Sequence, residues 1–207
     1  FGYDKALFMN SGAEANETGI KLARKWGYLK KNIPENTALI VVASHNFHGR
    51  TTTIISASTD APARKGFGPF MPGFEIVEFD NTAALEKALA NPHVCALWIE
   101  PIQGEAGVYV PHDGYLREAA GICRKNNVLL MMDEIQTGIA RTGKMLASDH
   151  EGVRADILVL GKALSGGTMP VSCVLADDEV MLLIKPGEHG STFGGNPLGA
   201  AVCMEAL

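Results

Sequence analysis

Lys162 lies in Leu160-Gly161-Lys162-Ala163-Leu164-Ser165-Gly166-Gly167, directly after the apolar run Ile157-Leu158-Val159-Leu160. A lysine just past a buried strand, among small residues, is poorly sited for a solvated charge and well sited for an amine that meets a ligand. Burial favours the neutral amine, the nucleophile that forms a Schiff base. The plain alternative is a strand-end lysine whose stem lies on apolar surface while its ammonium reaches water. The choice depends on what else the chain brings to the same place.

Other segments carry matching chemistry. Ser11-Gly12-Ala13-Glu14 opens a helix. Ser11 and Glu14 have capping-box spacing, and Gly12 leaves room for a ligand against first-turn amides, where free N–H groups and the helix dipole favour a phosphate. An ordinary capped helix begins the same way. Gly190-Ser191-Thr192-Phe193-Gly194-Gly195-Asn196-Pro197 offers a second set of hydroxyl and backbone donors, or else a flexible glycine loop. Asp133 follows the very apolar Val128–Met132, where an unpaired carboxylate is costly. One partner that suits an amine and a phosphate cradle is the protonated pyridine nitrogen of pyridoxal phosphate, a ring that withdraws electrons from a carbanion. An N-cap or a metal carboxylate is the other reading of Asp133, although no His or Cys stands at ligand spacing. His45 and His48 read as loop or packing histidines.

Gly138-Ile139-Ala140-Arg141-Thr142-Gly143-Lys144-Met145 has the Gly, Gly and Lys spacing of a P-loop. Met145 stands where that motif needs a hydroxyl for magnesium, so nucleotide binding is the alternative from a different class. No GxGxxG follows the first strand, which disfavours a dinucleotide-binding dehydrogenase.

The elements that must position these residues follow from the hydrophobic pattern. Strands are expected at Ala6–Met9, Ala38–Ala43, Glu75–Phe79, Ala96–Ile99, Val128–Met132, Ile157–Leu160 and Ser172–Ala176, and helices at Glu14–Lys30, Thr82–Leu89, Gly114–Asn126 and Pro197–Leu207. The alternation predicts an α/β fold, a mostly parallel sheet with helices on both faces. In such sheets ligands bind beyond the carboxyl ends of the strands. The segments after the first, second, fourth, fifth and sixth strands are therefore read as one set.

The 207 residues suffice for one large domain over 1–207, and Gly66–Gly73 reads as an ordered loop within it. A net charge of −5 without a long Lys/Arg run argues against nucleic acid or an anionic membrane as partner, and no apolar run reaches membrane-spanning length. The four cysteines are widely spaced, which predicts no disulfide framework and a reducing compartment, the cytoplasm ahead of the mitochondrial matrix. The glycosylation sequon at Asn16 is read as chance. The start at Phe1 and a helix still running at Leu207 suggest a piece of a longer chain.

Ser11-Gly12-Ala13-Glu14-Ala15-Asn16-Glu17, Phe47-His48-Gly49-Arg50-Thr51, Glu100-Pro101, Asp133-Glu134-Ile135-Gln136-Thr137-Gly138, Lys162 and Ser191–Pro197 occur in this order. Together they resemble the class III (omega-amino) aminotransferases, and the resemblance covers essentially the whole chain. Gly66–Gly73, Gly104–Val108, Leu160–Gly167 and Ile184–Thr192 are most similar to the ornithine-using branch. His48 departs from that branch, which often has tryptophan there, toward the acetylornithine branch; Ala106 again resembles the ornithine branch.

The resemblance implies a fold type I large domain with a seven-stranded sheet, the family's N-terminal segment and C-terminal small domain lying outside the chain. It implies pyridoxal 5'-phosphate as cofactor, with Lys162 carrying it as a Schiff base and then moving a proton. Asp133 would hold the pyridine nitrogen and Gln136 the ring hydroxyl, with Phe47 and Ile135 on the two ring faces. Ser11, Gly12 and Ala13 would hold the phosphate. Ser191 and Thr192 would serve the phosphate of a neighbouring subunit, making a homodimer with shared active sites. Arg50 would grip a substrate carboxylate, Glu100 would line the pocket, and Glu105 would be a gate that pairs with an arginine outside this chain. The implied reaction moves the δ-amino group of L-ornithine to 2-oxoglutarate, giving glutamate 5-semialdehyde and glutamate. Acetylornithine or 4-aminobutyrate are the alternative donors.

Overall fold

In a computed structural model that describes residues 1–207, all seven expected strands form one sheet. They are β1 (Lys5–Met9), β2 (Leu39–Ala43), β3 (Phe74–Val77), β4 (Val94–Ile99), β5 (Leu129–Asp133), β6 (Ile157–Leu160) and β7 (Ser172–Ala176), in the order β1-β7-β6-β5-β4-β2-β3. β3 is an edge strand paired only with β2, Phe74–Val77 facing Ile40–Ala43, so Glu78 and Phe79 fall outside it. Asp133 belongs to β5 because it pairs with Val159.

Strands β2 to β6 are mutually parallel, β7 is antiparallel to β6, and β1 is antiparallel to β7. The two reversals cancel. The carboxyl ends of β1, β2, β4, β5 and β6 therefore share one edge, as the ligand-edge argument requires.

Side chains alternate across the strands and both faces are covered. Ile40, Val42, Trp98, Met131, Ile157, Val159 and Val174 pack with Ile20, Leu22 and Trp26 of α1 (Gly12–Leu29). Val41, Leu97, Ile99, Leu130, Met132, Leu158 and Leu160 pack on the opposite face with α4 (Thr82–Leu89) and α5 (Tyr115–Lys125). Double burial is why these strands read as unbroken apolar runs, and each fully buried aliphatic side chain contributes about 1.5–3 kcal/mol of transfer free energy. The short helices α2 (Thr52–Ser56), α3 (Ala61–Arg64) and α6 (Asp178–Met181) were not expected, being too short to show a helical period. The last helix, α7, spans Pro197–Ala206.

All four cysteines are buried and unpaired, and burial pushes the Cys95, Cys123 and Cys173 thiols up to about 12. Asn16 is fully buried on α1, so its sequon is no glycosylation acceptor. Gly138–Met145 forms turns instead of opening a helix, and Lys144 Nζ donates to the carbonyl of Asp149 at 3.0 Å. The P-loop spacing thus corresponds to no phosphate cradle. No helix is long and apolar enough to cross a membrane.

Candidate active site

A cleft of about 320 Å³ opens beyond the carboxyl edge of the sheet. Its wall comprises Ser11–Ala13 at the start of α1, Phe47–Gly49 after β2, Glu100 and Glu105 after β4, Asp133 with Ile135–Thr137 after β5, and Lys162 after β6. Asn10 and Ile102 add to it, and Met169, Pro170 and Val171 complete it. Sequence reasoning missed these three because they precede β7, whose amino end reaches this edge only because the strand runs antiparallel.

Asp133 is the floor of the cleft. Its Oδ2 accepts from Asn16 Nδ2 and from His48 Nδ1, both at 2.7 Å, and its Oδ1 accepts from the Ile135 amide at 3.0 Å. Three donors are enough to hold a carboxylate that is 4% exposed. They leave Oδ1 with acceptor capacity on a cleft-lining side chain. His48 is therefore no mere loop or packing residue. It is buried, its ring stacks on Trp98 with centroids 3.9 Å apart, and its carboxylate partner comes from a distant strand. Asn16 closes the arrangement by also donating to the His48 carbonyl at 2.9 Å.

Lys162 lines the cleft but is exposed, contrary to the expectation of burial. It stands one residue beyond β6, after Gly161, and its backbone sits at φ +43°, where a non-glycine residue costs on the order of 1–2 kcal/mol. The side chain lies in the open cleft, and no ion pair ties it down. Backbone strain of this kind gathers at functional sites.

Glu100, only 6% exposed, accepts from the Phe47 amide at 3.0 Å. Burial, reinforced by the Asp133 charge, pushes its carboxyl up to about 7 from 4.5, against the opposing pull of His48, the Phe47 amide and Lys162. A raised carboxyl costs the fold only when ionised. The cost is absent below pH 4.5, grows between 4.5 and about 7, and is constant above that. Glu100→Gln is expected to leave stability unchanged near pH 4 and to raise it by up to about 3 kcal/mol above pH 7. Denaturant midpoints at the two pH values measure this; an equal shift at both would remove the ionisation argument.

At α1, Ser11 Oγ accepts from the Glu14 amide at 3.3 Å, and Glu14 Oε2 accepts from the Ser11 amide at 2.7 Å, the expected capping box. Partial burial raises the Glu14 carboxyl, but its bonds to Ser11 and Asn10 outweigh this and hold it low. Helix geometry leaves the Gly12 and Ala13 amides without intrahelical acceptors, and both residues line the cleft. A Cβ on Gly12 would come within 2.8 Å of Ile135 Cδ1, so the glycine lets these two walls meet without a shift of the Ile135 side chain. Asn10 Nδ2 donates to Ser191 Oγ at 2.9 Å, bringing the Ser191 segment to the helix start. Thr192 is exposed and outside the cleft wall.

Gln136 Nε2 donates to Glu105 Oε1 at 3.1 Å across Gly104, where a Cβ would lie 1.4 Å from Gln136 Oε1. Arg50 is exposed, lies outside the cleft wall, and stands 5.8 Å from the centroid of the Phe47 ring. The neighbouring Glu134 is a structural clamp, accepting from Thr137 Oγ1, the Ala147 and Ser148 amides and Ser148 Oγ at 2.7–2.9 Å.

An exposed amine, a carboxylate floor and free helix-start amides around one cleft suit an anionic aromatic cofactor. Residues 1–207 match the family described as aminotransferase class-III. The chain belongs to the class-III aminotransferases. Among class-III relatives, it is 64% identical over its whole length to a mitochondrial ornithine aminotransferase of Drosophila ananassae, covering 48% of that protein. It is 59% identical to an ornithine aminotransferase of Plasmodium falciparum, of which it covers 50%. Its fold matches the crystal structure of the ornithine aminotransferase from Toxoplasma gondii with a TM-score of 0.99 at 54% identity, covering all of this chain and 49% of that one. An acetylornithine aminotransferase from Elizabethkingia anophelis matches with a TM-score of 0.87 at 58% identity, over 99% of this chain and 50% of the other. The chain thus spans about half the length of the relatives it matches.

Proposed function

We propose that this chain forms the cofactor-binding part of a pyridoxal 5'-phosphate-dependent enzyme that moves the δ-amino group of L-ornithine to 2-oxoglutarate, giving glutamate 5-semialdehyde and glutamate. The observation that carries the reading is Asp133: a buried carboxylate with three donors and an open acceptor position, on the same cleft as Lys162 and the free α1 amides. The names of the similar proteins support ornithine as the donor.

When bound, pyridoxal phosphate supplies an electron sink for the negative charge left when a substrate carbon loses its proton. The residues of this chain do the rest. Asp133 would hold the cofactor through its free acceptor position, as the counter-charge for a protonated ring nitrogen. Gly12 and Ala13 would donate their amides to the phosphate, with Ser11 beside them. Phe47 and Ile135, both on the cleft wall, would hold the ring by its faces, and Gln136 would donate to its hydroxyl. Lys162 would hold the cofactor through its amine, and its Nζ is the group on the cleft wall that would take a proton from the substrate carbon. Glu100 and Glu105 face the substrate, and Arg50 takes its carboxylate when brought over the cleft. Ser191 and Thr192 serve the phosphate of a second subunit in a homodimer. Buried, unpaired thiols fit a reducing compartment, the cytoplasm or the mitochondrial matrix.

The second reading is acetylornithine as donor, favoured by the Elizabethkingia structure. Single half-reactions of the full-length protein with ornithine, acetylornithine and 4-aminobutyrate, followed by loss of visible absorption, separate them. Ornithine is expected to react at least about tenfold faster than either rival; a faster reaction with acetylornithine would move the assignment.

Gly104→Ala provides a local test. The new methyl displaces the Gln136 amide, a flexible side-chain end, so stability should change by less than about 1 kcal/mol. Pyridoxal phosphate affinity should fall several-fold as Gln136 swings away. Unchanged affinity would remove Gln136 from the cofactor shell.

A further inference from the structure

The stretch before Ser191 is bolted to α1 through one imidazole. Residues 185–190 are exposed except His189, which is half-buried. His189 Nε2 lies 2.7 Å from Thr18 Oγ1, and its Nδ1 lies 3.0 Å from Lys21 Nζ. Thr18 is fully buried, and its hydroxyl donates to the Glu14 carbonyl at 2.8 Å. These partners leave one arrangement of hydrogens. An ammonium only donates, so Nδ1 accepts; the single Thr18 hydrogen is already committed, so Nε2 carries a hydrogen and donates it. The imidazole is therefore neutral. Burial holds it below the ordinary histidine range, Lys21 pushes the same way, and Glu17 opposes them. Glu188 adds to the bolt: its carbonyl accepts from Lys21 Nζ at 3.0 Å, and its carboxylate pairs with Lys25.

The far end of the stretch is anchored too. Ser191 Oγ accepts from Asn10 Nδ2 at 2.9 Å and from the Gly194 amide at 3.1 Å, and a Cβ on Gly194 would lie 2.2 Å from the Phe8 carbonyl oxygen. Thr192 and Phe193, held between these anchors, are exposed. We infer that His189 is a positioning residue that fixes the 188–192 stretch on α1 and so sets where Thr192 meets the phosphate bound by the second subunit. This role rests on the proposed homodimer with shared active sites. His189 itself touches neither cofactor nor substrate. One helix would thus hold its own subunit's phosphate at its start and carry the donor for the other phosphate on its flank.

Full-length heterodimers test this, with Lys162→Ala in one subunit so that only the other can turn over. The working site then takes its Thr192 from the Lys162→Ala subunit. The measurement is the pyridoxal phosphate concentration that gives half-maximal activity. His189→Leu placed in the Lys162→Ala subunit should raise it about tenfold, and placed in the working subunit should change it by less than about twofold. Thr18→Val, which removes the acceptor from the α1 side, should show the same asymmetry. His189→Gln keeps a donor near the position of Nε2 and should recover most of the affinity. Side-chain nitrogen resonances of wild-type His189 should show a protonated Nε2 and a bare Nδ1. Equal effects of His189→Leu in the two placements, no effect in either, or a protonated Nδ1 would overturn the inference. Thr192→Ala in the same two placements separates the two ideas. It too should act only from the Lys162→Ala subunit; action from the working subunit alone, or from neither, would overturn the shared-site reading and the role of His189 with it.

Discussion

Replacing Lys162 by alanine is expected to cut turnover by about 10⁴-fold or more while leaving the fold intact. The two halves of this result come from different observations. Lys162 is the only amine on the cleft wall, so nothing else there can hold the cofactor or move the substrate proton. It is also exposed and free of ion pairs, so its truncation removes no stabilising contact and stability should stay within about 0.5 kcal/mol. Single-turnover absorbance with ornithine and a thermal melt measure the two parts. A small exogenous amine should restore part of the proton transfer, because what is missing is a base and not a packed side chain. Near-normal turnover in the variant would remove Lys162 from the chemistry.

The second large effect is at Asp133. In Asp133→Ala the Asn16 amide, the His48 Nδ1–H and the Ile135 amide lose their acceptor, two of them on buried side chains. Each buried, unmet donor costs about 1–3 kcal/mol, so a loss of about 3–5 kcal/mol is expected, with some relief by rearrangement. Asp133→Asn keeps the shape but gives one oxygen where two acceptors are needed. Turning that oxygen toward Asn16 and His48 points its NH₂ at the Ile135 amide. Both variants should lose at least about 10³-fold in activity, because neither holds a negative charge against a ring nitrogen. Thermal melts, visible spectra and steady-state rates check this. Full activity in Asp133→Asn would show that the carboxylate is structural alone.

Much of this site was legible in the chain. The unbroken apolar runs ending at Met132 and Leu160 located central strands and therefore the ends on which Asp133 and Lys162 sit, because burial on both sheet faces leaves a mark within a few residues. The Ser11/Glu14 spacing located the helix start for the same reason, since a capping box closes within one turn. What only the tertiary structure decided involves residues far apart in sequence. His48 meets Asp133 across 85 positions and Asn16 meets it across 117, so no local spacing could mark His48 as anything but a loop residue. The direction of β7 brought Met169–Val171 to the cleft, and strand direction is set by pairing partners, not by composition. The exposure of Lys162 likewise follows from how far the surrounding walls reach. The chain's local pattern determined which residues stand at strand ends; the packing of the sheet decided which of them face one another.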